Sequence, residues 1–311
     1  MLCGALAVLG GEGTLPLAAG LRERLIGAGW SSAGIVEWQA QQAAGSLDRA
    51  GQFRAVEIYR SLVLRDAANP YRWCDWAEAL QAAGLVEEAR KAFGEARVLG
   101  PAIPPVLVRA GNFYYATQDR KAAVEAYASV LRLTHEYDPI IFLTLRRLGL
   151  EAGDITATVL PKDSETAKNF LDFSIRSGDV GDTNAVWTWL VKEGLGSDRL
   201  GTQYVDFLLK QGQGSGAVSA WALYTGNRRE DYPEGNLVFN SRFRFEPSGS
   251  RLDWHMEAID GVETEIERQG GLGRCTSDLR ARRTWLTGTS GNTCGSRRET
   301  IVYERMLRAL N

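Results

Sequence analysis

The chain has 311 residues, 44% of them hydrophobic and 24% charged, the mixture of a folded globular protein rather than a disordered one. A formal net charge of −2 and a pI near 5.9 exclude a sequence-wide polyanion-binding surface, so no nucleic-acid partner is expected. Four cysteines without a C-x-x-C pair, and only two histidines, exclude the common zinc sites, and no cofactor is expected.

Residues 1–34 form an apolar N-terminal segment in which Glu12 is the only charge before Arg22. No basic run precedes the apolar stretch, as a secretory signal requires. Gly10, Gly11, Gly13 and Pro16 interrupt it before it reaches the roughly twenty apolar residues of a spanning helix. It reads either as a weak membrane anchor or as a capping segment docked on the helices C-terminal to it. The same glycines, after the apolar run 5–9, also suggest a strand–loop–helix nucleotide site. The dinucleotide fingerprint needs a third glycine where Pro16 stands. This glycine-rich loop carries the alternative reading, a nucleotide-binding or enzymatic protein.

From about residue 35 a repeat is visible. Ala55, Ala89 and Ala123 stand 34 residues apart, as do Tyr59, Phe93 and Tyr127. The same step joins Pro70 to Pro104, Trp73 to Leu107, Ala77 to Gly111 and Leu80 to Tyr114. In the clearest unit, 70–101, one helix carries Trp73, Trp76, Ala77 and Leu80. Gly84 follows, then Ala89, Phe93 and Ala96 on a second helix, and Pro101 ends the unit. Small residues at 77 and 89 let two antiparallel helix axes approach to about 8–10 Å, with the larger side chains filling the space around them. Cys74, inside this pattern, reads as a small buried hydrophobe.

These residues resemble the tetratricopeptide-repeat (TPR) signature, with its characteristic aromatic, small and turn positions. The resemblance implies a mainly α fold, a right-handed TPR helical solenoid over 35–226. Unit 103–137 keeps Leu107, Gly111, Tyr114, Ala123 and Tyr127 but has Gln118 at the turn, and unit 36–69 has a polar first helix with Gln39, Gln41 and Gln42. A single helix is expected over 139–153 and a linker over 154–161. Weaker hairpins come next. One pairs 162–177 with 184–193 around the turn 178–182, with Ala185 and Trp189 in the repeat's alanine–aromatic spacing. The other pairs 198–211 with 217–224 around Gly212.

After Gly226 the texture changes. Leu237-Val238-Phe239 looks like a strand, and Phe243 and Phe245 alternate with polar residues. Asn236, Asn240 and Asp253-Trp254 resemble the opening of galactose-binding-like jelly-roll domains, which follow TPR arrays in some bacterial cell-envelope proteins. The resemblance implies an incomplete β-module over 236–268, a location in the cell envelope (the alternative being cytoplasmic) and carbohydrate contact only in a complete relative. Residues 269–311 hold eight arginines and no lysine. They read as a poorly ordered tail, either disordered or out of frame by one base.

No catalytic constellation is present. His135 reads as a helix-end cation and His255 as an ordinary residue of the β-module. The function expected is a noncatalytic scaffold or adaptor that binds a protein or peptide partner in the concave groove of the repeats. Its candidate lining is Arg72, Asp75, Glu78, Arg109, Asn112 and Tyr115, all on first helices. Charge reversal at Arg72 and Arg109 is expected to weaken binding and leave the fold intact.

Overall fold

The computed structural model describes residues 33–45, 48–255, 262–269 and 272–279. The expectations for an anchor or glycine loop within residues 1–32, and for residues 280–311, lie outside the described residues. The chain divides into two compact units, Met1–Leu150 with Ala157–Pro161, and Glu151–Thr156 with Lys162–Asn311.

The first unit holds three antiparallel hairpins. Helix α1 (Ala33–Ala44) pairs with α2 (Arg49–Arg65), α3 (Pro70–Ala82) with α4 (Val86–Leu99), and α5 (Pro104–Ala116) with α6 (Arg120–Leu131). A further helix, α7 (Asp138–Arg147), packs on α6. Local chemistry sets the boundaries. Asp48, Asn69 and Asp119 accept hydrogen bonds from backbone N–H groups in the first turns of α2, α3 and α6, and Pro70 and Pro104 begin α3 and α5. Gly84 ends α3 in the left-handed conformation at φ +81°, and the N–H of Leu85 bonds back to the Leu80 carbonyl at 2.9 Å. Gln118 occupies the equivalent turn position at φ +58°, where a side chain is strained.

Ala77, Ala89 and Phe93 are fully buried, with Leu80 beside them, as the 34-residue step predicts. The Phe93 ring lies 4.9 Å from that of Phe113, so the second helix of one hairpin is keyed into the next. Trp73 and Trp76 are only half-buried, and the fully buried residue between them is Cys74.

The helix expected over 139–153 is divided. It ends at Arg147 because Gly149 turns left-handed at φ +78° and the Leu150 N–H bonds to the Leu145 carbonyl. Residues expected as a linker form α8 (Ala152–Thr158), whose Ile155 is buried.

In the second unit, α9 (Ser164–Ser177) pairs with α10 (Val180–Lys192), and α11 (Asp198–Lys210) with α12 (Gly214–Thr225), before a 3-10 turn at Gly226–Arg229. The expected five-residue turn at 178–182 is shorter. Gly178 is left-handed at φ +78°, and Asp179 caps α10 by accepting from the Asp182 N–H at 2.7 Å, so the helix starts at Val180. Thr183 and Trp187, not Ala185 and Trp189, hold the alanine and aromatic positions, at 0% and 1% exposure. With that register the repeat continues. Gly178 to Gly212, Thr183 to Ala217, Trp187 to Trp221 and Phe170 to Tyr204 are each 34 residues apart.

Residues 236–255 contain no strand, which corrects the expected opening of a jelly roll. Side chains take the backbone bonds that a ladder would have used. Asn236 Oδ1 accepts from the Val238 N–H, and Asn240 both accepts from the Phe245 N–H and donates to the Phe245 carbonyl. Asn240 and Phe243 are left-handed, at φ +50° and +49°, which breaks the pleat. Asp253 is buried and accepts from Ser248 and from the Trp254 N–H. Among the described residues the β structure is one antiparallel pair, β1 (Val262–Gln269) with β2 (Leu272–Leu279). The first strand falls at the end of the expected β-module, and the second where a poorly ordered tail was expected. Among the described residues no sandwich is formed, so nothing there supports the expected carbohydrate contact or envelope location.

Candidate functional site

The six candidate residues lie on α3 and α5, the first helices of successive hairpins in the first unit. Four of them are joined. Arg109 donates through Nη2 to Asp75 Oδ1 at 2.8 Å and through Nε to Glu78 Oε1 at 2.6 Å. Arg72 lies 4.0 Å from Asp75 and 3.1 Å from Glu37 of α1. The row therefore ties α1, α3 and α5 together. Asn112 accepts from the Tyr127 hydroxyl at 2.9 Å, while Tyr115 stands outside the ion pairs with 37% of its surface exposed.

Electrostatics fix these charges. Burial works against the Arg109 cation, yet the hydrogen bonds with Glu78 and Asp75 outweigh it and hold the guanidinium above its usual range. Burial first, then the carboxylates of Asp75, Glu37 and Glu78, pushes the neighbouring Tyr59 hydroxyl up to about 12. Burial pushes the Cys74 thiol up to about 12 as well, so it stays protonated at neutral pH and is no nucleophile there.

The geometry amends one expectation. Reversing the Arg109 charge would set three carboxylates together and disturb the stacking of α3 on α5, so it does not leave the fold untouched. Sequence reasoning missed Glu37 as a member of the row, and Tyr71, which is 43% exposed on α3. The spacing held a usable signal. Glu78 is nine positions after its N-cap and Arg109 six after the next; Asp172 and Gln203 repeat those offsets in the second unit and are hydrogen-bonded.

His135 faces Asp138 at 3.5 Å, and His255 is exposed at the end of the irregular stretch. Among the described residues no group of three or more His, Cys, Asp or Glu could hold a metal ion, and no helix is long and apolar enough to cross a membrane.

Repeated antiparallel helix pairs, a 34-residue step, small residues at the crossing and a left-handed turn residue together define TPR-like hairpins. No family model matches the chain, and no curated protein does. Among solved structures the chain is similar to YrrB, a TPR protein with an unusual peptide-binding site. The identity is 13%, the match covers 55% of this chain and 92% of that one, and the TM-score is 0.31. At that identity and score the likeness carries no argument of its own. The fold assignment rests on the hairpins of this chain.

Proposed function

We propose that the protein is a noncatalytic adaptor that docks a peptide or helix of a partner protein on the first-helix face of α3 and α5. The observation that carries this reading is a fixed polar floor flanked by exposed aromatics. Arg72, Asp75, Glu78 and Arg109 are paired among themselves and with Glu37, and Tyr71 and Tyr115 on the same helices expose 43% and 37% of their surface. Pre-paired charges present a rigid surface without a large excess of either sign, and tyrosine is among the side chains enriched where interfaces are anchored. Arg72, Asp75, Glu78 and Arg109 position the surface; Asn112, Tyr71 and Tyr115 meet the partner.

Peptides selected from a random display library on the full chain provide the probe. Bound peptide should slow amide exchange in α3 and α5 and leave α9–α12 unchanged. Protection confined to other helices would remove the partner from this face.

A further inference from the structure

In each unit a hairpin is completed by the one that follows it. In the first unit, Phe93 of α4 meets Phe113 of α5 at 4.9 Å, and Glu78 is bonded by Arg109. In the second unit, Trp187 of α10 meets Tyr204 of α11 at 5.1 Å, and Asp172 is bonded by Gln203. Among the described residues no helical hairpin follows α11–α12, whose end would leave the large apolar ring of Trp221 without cover. An open repeat end is an adhesive surface, because the next repeat it is shaped for could come from a second copy.

The residues after it meet the same demands in the same places. Phe239 sets its ring edge-on to Trp221 at 5.6 Å, and Tyr232 packs on Phe239 at 5.7 Å. Both are buried, at 3% each, and Trp221 is fully buried beneath them. Asp206 stands nine positions after its N-cap, like Glu78 and Asp172. Its partner is Arg251, whose Nε lies 3.1 Å from Asp206 Oδ1, an ion pair without the alignment of a hydrogen bond. Arg228 adds a second tie, donating to Asp198 at 2.8 Å and lying over the Tyr224 ring. The irregular path is itself fixed. Asn240 clamps Phe245, the Trp254 indole donates to the Asn240 carbonyl at 2.9 Å, and Trp254 stacks on Phe243 at 4.6 Å.

We propose that 226–255 is a surrogate repeat: it takes the place of a following hairpin and closes the end of α11–α12 against a second copy of the chain. The aromatic contact to Trp221 and the Arg251 partner of Asp206 stand where a true next hairpin supplies an aromatic ring and a polar partner, here without helices. This goes beyond the docking reading, which concerns the first unit, and it stands or falls without it.

The test uses the full chain with Phe239→Ala, and with Phe239→Leu as the variant that keeps apolar bulk. Amide exchange and sedimentation equilibrium are read on both. In Phe239→Ala, amides of 204–225 should exchange at least ten-fold faster than in the wild type while those of 70–131 are unchanged. The variant should also self-associate as its concentration rises, whereas Phe239→Leu should stay near wild type in both measurements. Unchanged exchange over 204–225 would overturn the surrogate-repeat role. Faster exchange in a protein that stays monomeric at every concentration would overturn the protection against a second copy.

Discussion

Tyr127 lies so close over Gly111 that a methyl group added to the glycine would stand 2.7 Å from the ring's Cε1. One hairpin earlier the same two positions hold Ala77 and Phe93, both fully buried. The larger ring is thus matched by the smaller partner. Tyr127 also uses its hydroxyl, donating to Asn112 at the edge of the candidate site. Gly111→Ala should therefore destabilise the protein by about 1–3 kcal/mol through overpacking. In a Tyr127→Leu background the penalty should shrink, and urea unfolding of the four proteins in that cycle reads it directly. A penalty equal in both backgrounds would deny the contact.

Phe93 tests the repeat register. It is fully buried against Phe113, so Phe93→Ala should cost about 3–5 kcal/mol as a cavity. Thermal unfolding followed by circular dichroism measures it, and an unchanged midpoint would mean that the ring lies elsewhere.

Gln118 stands in the left-handed region at φ +58°, where three other repeat turns place Gly84, Gly178 and Gly212. Gln118→Gly should stabilise by about 1 kcal/mol, because the side chain meets a steric cost there that glycine does not. Gly84→Ala should move stability in the opposite direction. Denaturant midpoints of the two variants should shift with opposite signs.

Two carboxyl groups predict the acid limit of the fold. Asp119 is held below the usual carboxylate range by the Ala122 backbone N–H and then by Arg90; Asp198 is held there by Arg228, against burial, and by Tyr224. A carboxyl group whose folded pKa is lowered favours folding at pH above its unfolded value, about 3.9, and loses that contribution as pH falls through the folded value. The melting temperature should fall below about pH 4, and an Asp119→Asn, Asp198→Asn double variant should lose less of it on acidification. Identical acid profiles for variant and wild type would contradict this linkage.

Much of the first unit was legible because alanine repeats itself there: Ala55, Ala89 and Ala123 mark every hairpin with the same small residue. The second unit hides the same 34-residue step. Its small position holds Thr183, whose hydroxyl is satisfied by the Asp179 carbonyl, so a polar residue sits in a fully buried place. Ala185 and Trp189 offered the same spacing two residues later and drew the register away. At the site, the residue types named Arg72, Asp75, Glu78 and Arg109, but only their distances show that Arg109 is held by two carboxylates at once. The stretch after Gly226 misled because alternating Phe243 and Phe245 imitate a strand. Asn236 and Asn240 commit their amides to the local backbone instead, a competition that alternation does not register.

The docking surface is tested most directly by the affinity of a library-selected peptide for the Tyr71→Ala, Tyr115→Ala double variant of the full chain. Both rings are exposed and outside the ion-pair row, so their removal should leave the melting temperature within a degree or so of wild type. Calorimetric titration should show binding at least ten-fold weaker, a loss of about 1.4 kcal/mol or more. A peptide that binds the double variant as tightly as the wild type would place recognition elsewhere and contradict docking on α3 and α5.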